Sequence, residues 1–288
     1  MRPLPRRYQA LGAAIVAAAV TARYAAKWRR RRSRRLGEQR ERGVTSGRYF
    51  VGIDLTDPTV VAPCACDVAV LDPNLVCSFS LWDYQQDGLG IVPDAVLGRS
   101  FVLAIDGPQG LAGAPEDTVR ESERAANTPG RTPYELPSSE HPYAGFTAGS
   151  VRLFHALAIG GARFRLLGLG DAPVRDANLM EVFPGGGWRS LGGAALPSKR
   201  SLQGRRQRRA MLVAEGVEFP PDELPTDGQL DAAMAAWTAY CLSTGRARLE
   251  GQAPQFDAPA RVIREGYIVQ PHQIDAAADV ETGLVAPV

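Results

Sequence analysis

Two apolar segments of this chain, Tyr49–Asp54 and Phe101–Asp106, each end in an aspartate. Each segment has the length and composition of a buried strand, so both carboxylates are predicted where a strand leaves the core. If the two strands are neighbours in one sheet, the carboxylates lie at the same edge. Like charges held that close repel each other, and each loses solvation, unless a cation neutralises them. Because Mg²⁺ prefers oxygen ligands, the pattern predicts a divalent-metal site.

A second interpretation is that both aspartates merely begin turns, because Asp57-Pro58 and Gly107-Pro108 follow closely. The repetition of the pattern and the acids further along the chain favour the site. The clearest helix begins at Thr226, which forms a capping-box pattern with Gln229. Asp227 and Asp231 are four residues apart and therefore share one face of this helix.

The order of the predicted elements indicates a mixed α/β fold. The strand from Val51 is followed by two alternating segments, residues 66–71 and 75–82, separated by the turn signal Asp72-Pro73-Asn74. These three strands are predicted to be antiparallel in sequence, with the strand that ends at Asp106 after them. Residues 163–169 and 179–183 are predicted to be strands or extended segments. The glycines at 185–187 favour a flexible loop.

Helices are predicted to flank this sheet. Charged residues at 118–126 and apolar residues at helical spacing in 150–160 each predict a helix. The segment from Lys199 to Val213 predicts a helix with a basic first half and a buried second half. In the last helix, an apolar stripe borders the face of Asp231, which places that residue at the margin of the core. The stripe consists of Leu230, Ala233, Met234, Trp237 and Cys241.

Over about residues 50–271 the chain resembles the predicted RNase H-like nucleases of domain-of-unknown-function family 429. Each motif that carries the resemblance is weak alone, but the motifs occur in a consistent order. They are Val51–Asp54, Ala104–Pro108, Arg120 with Glu123, Glu181–Pro184, Pro197–Lys199, Asp227–Ala239 and Glu265–Val269. The resemblance implies an RNase H-like mixed sheet, with three antiparallel strands and then parallel strands, flanked by helices.

The resemblance also implies a nuclease site. Two Mg²⁺ or Mn²⁺ ions can clamp the attacking and leaving oxygens in phosphodiester hydrolysis. Asp54 would then bridge both ions, while Asp106 and Asp231 would each complete one. Glu181 would be a further ligand or would position the water, and Asp227 is either a spare ligand or a helix cap.

Substrate binding is expected from basic residues that could hold phosphates. The candidates are Arg120, Lys199 and Arg205. A solvated helix face is the alternative for the arginines after Lys199, and pairing with Glu123 is the alternative for Arg120. Two other functions stay open: a non-catalytic nucleic-acid-binding module of the same fold, and a nucleotide-binding phosphotransfer enzyme. No Walker-type lysine loop is present, which disfavours nucleotide hydrolysis by that route.

The formal charge of +2 hides an uneven distribution. Residues 1–42 contain twelve arginines and Lys27 against Glu38 and Glu41, so the remainder is acidic, with a net charge of −9. Nucleic-acid binding by the remainder therefore requires a local basic patch or bound cations. The four cysteines and three histidines fit no zinc pattern, and thiols in a reducing compartment are expected.

The composition predicts three regions. Residues 1–48 are expected to be a mobile basic, Ala/Arg-rich extension, with a membrane anchor and a transit peptide as alternatives. Residues 49–271 are expected to form the RNase H-like domain, and residues 272–288 a loose tail. A cytoplasmic protein is predicted, with weak contact to anionic membranes possible through the extension. The oligomeric state is not predicted.

Overall fold

The computed structural model describes residues 47–57, 65–141, 143–160, 163–170, 173–192, 196–221 and 224–272. The predicted extension (1–48) and tail (272–288) lie outside the described residues, except for Gly47, Arg48 and His272. The predictions made for these two regions therefore stay predictions.

A seven-stranded mixed sheet forms the centre of the described structure. Its order is β3-β2-β1-β4-β5-β9-β6. The strands are β1 (Tyr49–Asp54), β2 (Ala65–Leu71), β3 (Cys77–Asp83), β4 (Phe101–Asp106), β5 (Leu179–Val182), β6 (Ala247–Glu250) and β9 (Ile268–Pro271). Two further strands, β7 (Gln255–Asp257) and β8 (Val262–Arg264), form a separate hairpin.

The first three strands are antiparallel, and β4, β5 and β9 run parallel to β1. Strand β6 returns antiparallel along β9. This arrangement confirms the predicted fold class and is consistent with an RNase H-like fold. The expected strand or extended run at 163–169 is only an isolated bridge between Leu166 and Leu179.

Six α-helices accompany the sheet in the described part of the chain. They are α1 (Tyr84–Asp87), α2 (Glu121–Ala125), α3 (Ala144–Gly160), α4 (Pro184–Gly192), α5 (Leu202–Ala214) and α6 (Asp227–Ser243). Short 3₁₀ turns lie at Asp94–Val96 and Val174–Asp176. The prediction of a flexible loop at 185–187 is wrong, because these glycines belong to α4. Their small size has a packing reason: side-chain carbons at Gly186 and Gly187 would collide with Gln270 and Met234.

Helices cover both faces of the sheet. On one face, α6 packs across β1, β2 and β4, where strand residues such as Phe50 and Val102 form a core with it. On the opposite face, Phe154 and its neighbours in α3 pack against Val51, Ile53 and Ile105. Since strand residues alternate between faces, each strand position can be assigned to the α6 face or the α3 face.

Helix α6 is buried on all sides, rather than along the single stripe that its apolar pattern predicts. Every residue from Leu230 to Cys241 is buried, and five of the twelve are alanines. The small residues allow a close approach. A Cβ atom at Gly52 of β1 would collide with the carbonyl oxygen of Ala232 and the amide nitrogen of Ala236. The backbones of β1 and α6 are therefore in direct contact at Gly52.

We predict that Gly52→Ala destabilises the fold strongly, because the neighbouring atoms belong to the backbone and cannot rotate away. The expected loss is roughly 3 kcal/mol or more of unfolding free energy, at the upper end of overpacking penalties. Urea denaturation measures it. The control is Gly130→Ala, where a Cβ atom would meet nothing within 4 Å, so a change under about 0.5 kcal/mol is expected. Equal effects of the two substitutions would contradict the direct backbone contact.

Candidate acidic site

The aspartates that end β1 and β4 are direct neighbours. In the parallel register Asp54 lies opposite Asp106. Adjacent strands are about 4.8 Å apart, so the two carboxylates emerge side by side. Both lie on the α6 face, in alternation with Phe50 and Val102, and both are half-buried. The two strands are therefore neighbours in one sheet, and their aspartates lie at the same end of it, as the sequence pattern predicts.

A third strand aspartate, Asp67, joins them and was not anticipated. In the antiparallel register of β1 and β2, Asp67 lies opposite Asp54. A Cβ atom at Gly228 in the first turn of α6 would collide with Asp67 Oδ2 and lie 3.0 Å from Asp54 Oδ2. The sequence signal was present: the alternation of residues 66–71 places Asp67 on one face with Ala69 and Leu71, which are buried.

Helix α6 contributes the remaining carboxylates. Thr226 caps the helix, and it forms the predicted capping box with Gln229, so Asp227 is the first helical residue and not the cap. Asp231 lies one turn further and is only 4% exposed. The Asp231 carboxylate accepts a hydrogen bond from Trp188 Nε1 at 2.6 Å and one from Lys199 Nζ at 2.5 Å.

We call these five residues the acidic cluster: Asp54, Asp67, Asp106, Asp227 and Asp231. Burial raises the pKa of Asp54 to about 7, with Asp231 adding to the rise and Lys199 opposing it. Burial, followed by the charges of Asp54 and Asp231, raises the pKa of Asp106 well above its usual range. Burial and then Asp227 raise the pKa of Asp67. The carboxylates therefore act on one another's ionisation, as members of one site do.

Lys199 is the cation that the structure places in this cluster. Its side chain is half-exposed, and its ammonium forms an ion pair with the Asp231 carboxylate. Although burial lowers the pKa of Lys199, Asp231, Asp54 and Asp227 outweigh that effect, and the net direction is a rise. The ammonium therefore interacts electrostatically with three carboxylates of the acidic cluster.

Two arginines of α5, Arg205 and Arg208, contact segments that carry residues of the acidic cluster or its partners. Arg205 Nη1 is 3.5 Å from the carbonyl oxygen of Pro225, directly before the cap of α6. Arg208 is buried, donates from Nη1 to the carbonyl oxygen of Pro197, and lies over the ring of Trp188 at 5.7 Å. Arg208 thus holds both the segment that carries Lys199 and the indole that binds Asp231. Sequence reasoning missed this positioning role.

Glu181 lies on the face of the sheet opposite to the acidic cluster, although its charge contributes to the raised pKa of Asp106. Glu181 lies opposite Ile105, which faces α3, whereas Asp106 lies opposite Val182, which faces α6. The Glu181 carboxylate, which is 3% exposed, is bound by Arg120 Nη1 at 2.7 Å, Arg120 Nη2 at 2.5 Å and the amide of Gln109 at 2.9 Å.

Arg120 belongs to the same buried network and has no exposed surface. It pairs with Glu181 and with Glu123, and these two partners raise the pKa of Arg120 against the opposing effect of burial. Glu123 also accepts a hydrogen bond from the amide of Thr132 at 2.8 Å. With its guanidinium enclosed by two carboxylates, Arg120 ties β5 to residues 120–132, which agrees with the pairing interpretation rather than with an open phosphate site.

Residues 87–255 match the family described as "Protein of unknown function (DUF429)", so the chain belongs to this family. The matched region begins after Asp54 and Asp67, and it includes Asp106, Lys199 and Asp231. No curated protein and no solved structure matches the chain.

Within the described residues, no group of three or more His, Cys, Asp or Glu side chains is arranged to hold a metal ion. In the same part of the chain, no helix is both long enough and apolar enough to cross a membrane.

We predict that the stability of the metal-free protein depends on pH through Asp54. A carboxyl group with a pKa near 7 in the folded state and near 4 in the unfolded state stabilises the fold at low pH. This contribution is lost progressively between pH 4 and pH 7. Asp54→Asn should therefore be nearly neutral below pH 4 and increasingly stabilising up to pH 8, by at most about 4 kcal/mol, since the difference is about three pKa units and one unit corresponds to about 1.4 kcal/mol. Denaturant titrations in a chelating buffer measure this, and a pH-independent difference between variant and wild type would contradict it.

Proposed function

We propose that this protein is a divalent-metal-dependent nuclease that hydrolyses phosphodiester bonds in nucleic acid. The observation that carries the proposal is the direct register of Asp54 and Asp106 on neighbouring parallel strands, with Asp231 of α6 on the same face. The sheet, which is consistent with an RNase H-like fold, supports it.

The donor set fits Mg²⁺ or Mn²⁺. It consists of carboxylates alone, which are ligands for hard cations. Mg²⁺ is commonly held by one or two carboxylates together with waters and substrate phosphates, so Asp54 and Asp106 suffice without a closed cage of three protein ligands. When bound, such an ion supplies Lewis-acid stabilisation of the charge that develops on the phosphoryl oxygens.

The remaining groups are suited to position a polyanion. Lys199 is half-exposed, so one side of its ammonium can receive a phosphate oxygen while the other stays on Asp231. Arg205 lies beside the start of α6. Arg206, which follows it in sequence, and Arg200, which follows Lys199, are exposed. In the proposed function these arginines supply the local basic patch that the acidic composition of the domain makes necessary for nucleic-acid binding.

The proposed setting is the cytoplasm. Cys66, Cys77 and Cys241 are buried, and the sequence leads us to expect thiols in a reducing compartment for the four cysteines of the chain. Weak binding of residues 1–48 to anionic surfaces stays part of the proposal.

A second candidate is a non-catalytic nucleic-acid-binding module. The observation that favours it is the state of Asp231, whose two oxygens are already bound by Trp188 and Lys199. In such a module the acidic cluster would have no catalytic role, and the basic residues would bind the nucleic acid.

A cleavage screen separates the two candidates. Labelled single- and double-stranded DNA and RNA are incubated with the full chain in Mn²⁺, Mg²⁺ or a chelator. We predict metal-dependent cleavage that falls at least roughly a hundredfold in Asp106→Asn and Asp231→Asn, the scale of losing a group that stabilises transition-state charge.

The matched control is Asp94→Asn, an exposed aspartate outside the acidic cluster, which should keep full activity. Circular dichroism verifies that each variant is folded. Binding of nucleic acid without cleavage in any metal would support the binding module, and cleavage that survives in both site variants would place the activity elsewhere.

A further inference from the structure

Each oxygen of the Asp231 carboxylate already accepts a hydrogen bond from the protein itself. Trp188 donates to Oδ1 and Lys199 to Oδ2, and the residue is buried. A divalent ion on either oxygen would lie beside the Lys199 ammonium and be repelled by it, because like charges interact strongly in a partly buried site. Asp231 is therefore not open as a metal ligand in the way the sequence suggested.

The lysine is held at this position by its surroundings. The backbone before it is fixed, because the carbonyl oxygen of Pro197 binds Arg208 and that of Ser198 accepts hydrogen bonds from Ser201. Gly204 of α5 packs so tightly on Ser198 that a Cβ atom there would collide with its carbonyl oxygen. Lys199 thus projects from a fixed turn into the acidic cluster, unlike a solvated surface lysine.

The ammonium brings one positive charge into the acidic cluster and places it on Asp231. Asp54 and Asp106 lie side by side on neighbouring parallel strands. A divalent ion between these two carboxylates would therefore not compete with Lys199 for an oxygen of Asp231.

We infer that Lys199 is a built-in cation that takes the place of a second metal ion, so that the acidic cluster binds one divalent ion, between Asp54 and Asp106. The inference rests on the proposed function and specifies how many divalent ions its site binds. It replaces the two-ion arrangement expected from the sequence.

The test is the stoichiometry of Mn²⁺ binding to the full chain. Calorimetry counts the ions, and electron paramagnetic resonance distinguishes an isolated Mn²⁺ ion from an exchange-coupled pair. We expect one isolated ion per chain in the wild type and two coupled ions in Lys199→Met, which removes the charge and keeps the length of the side chain. Lys199→Arg, which keeps the charge, should bind one.

The matched control is Arg200→Met, which removes an exposed cation from the adjacent position and should bind one ion. Two ions in the wild type would overturn the inference and leave the proposed nuclease standing, and this measurement does not depend on any variant folding. A folded Lys199→Met that binds only one ion would also overturn it. If the wild type binds no Mn²⁺, both proposals fail, and if it binds one ion but cleaves no nucleic acid, only the proposed function fails.

Discussion

The backbone contact between α6 and β1 at Gly52 determines where the carboxylates of this protein lie. Because no side chain separates the helix from the strand there, α6 lies unusually close to the sheet. Asp231 is thereby brought to Asp54, two residues beyond Gly52 on the same face. Gly228 continues the close approach at the start of the helix, beside Asp54 and Asp67. A larger residue at either glycine would separate the helix from the strand aspartates.

Such a concentration of negative charge is unfavourable unless something offsets it, and the structure shows two kinds of compensation. The pKa values of Asp54, Asp67 and Asp106 rise, which removes charge at lower pH. The Lys199 ammonium and the Trp188 indole each donate a hydrogen bond to the Asp231 carboxylate, and Arg208 contacts the Trp188 ring and the carbonyl oxygen of Pro197, two residues before Lys199. On the other face of the sheet, the buried carboxylates of Glu123 and Glu181 share the Arg120 guanidinium and also accept hydrogen bonds from the amides of Thr132 and Gln109.

Local patterns were sufficient to predict the strands that end at Asp54 and Asp106 and the capped helix, because strand ends and helix caps are encoded by neighbouring residues. The parallel part of the sheet was expected from the family resemblance, and the register of Asp54 with Asp106 required the structure. The face on which Glu181 lies depends on the register between β4 and β5, which the sequence of β5 does not reveal. Asp67 required the register of the β1–β2 pair, and α4 was missed because its glycines are explained by distant packing partners. The ion pair between Lys199 and Asp231 joins residues 32 positions apart, and no local spacing rule predicts it.

The central claim is that Asp54 and Asp106 form a site for a divalent cation on the α6 face of the sheet. Anomalous diffraction from crystals of the protein soaked in Mn²⁺ tests it most directly. We predict an anomalous peak bound by the carboxylates of both Asp54 and Asp106, with the Lys199 ammonium still on Asp231. The absence of a peak between these two carboxylates, or a peak only at another location, would contradict the claim.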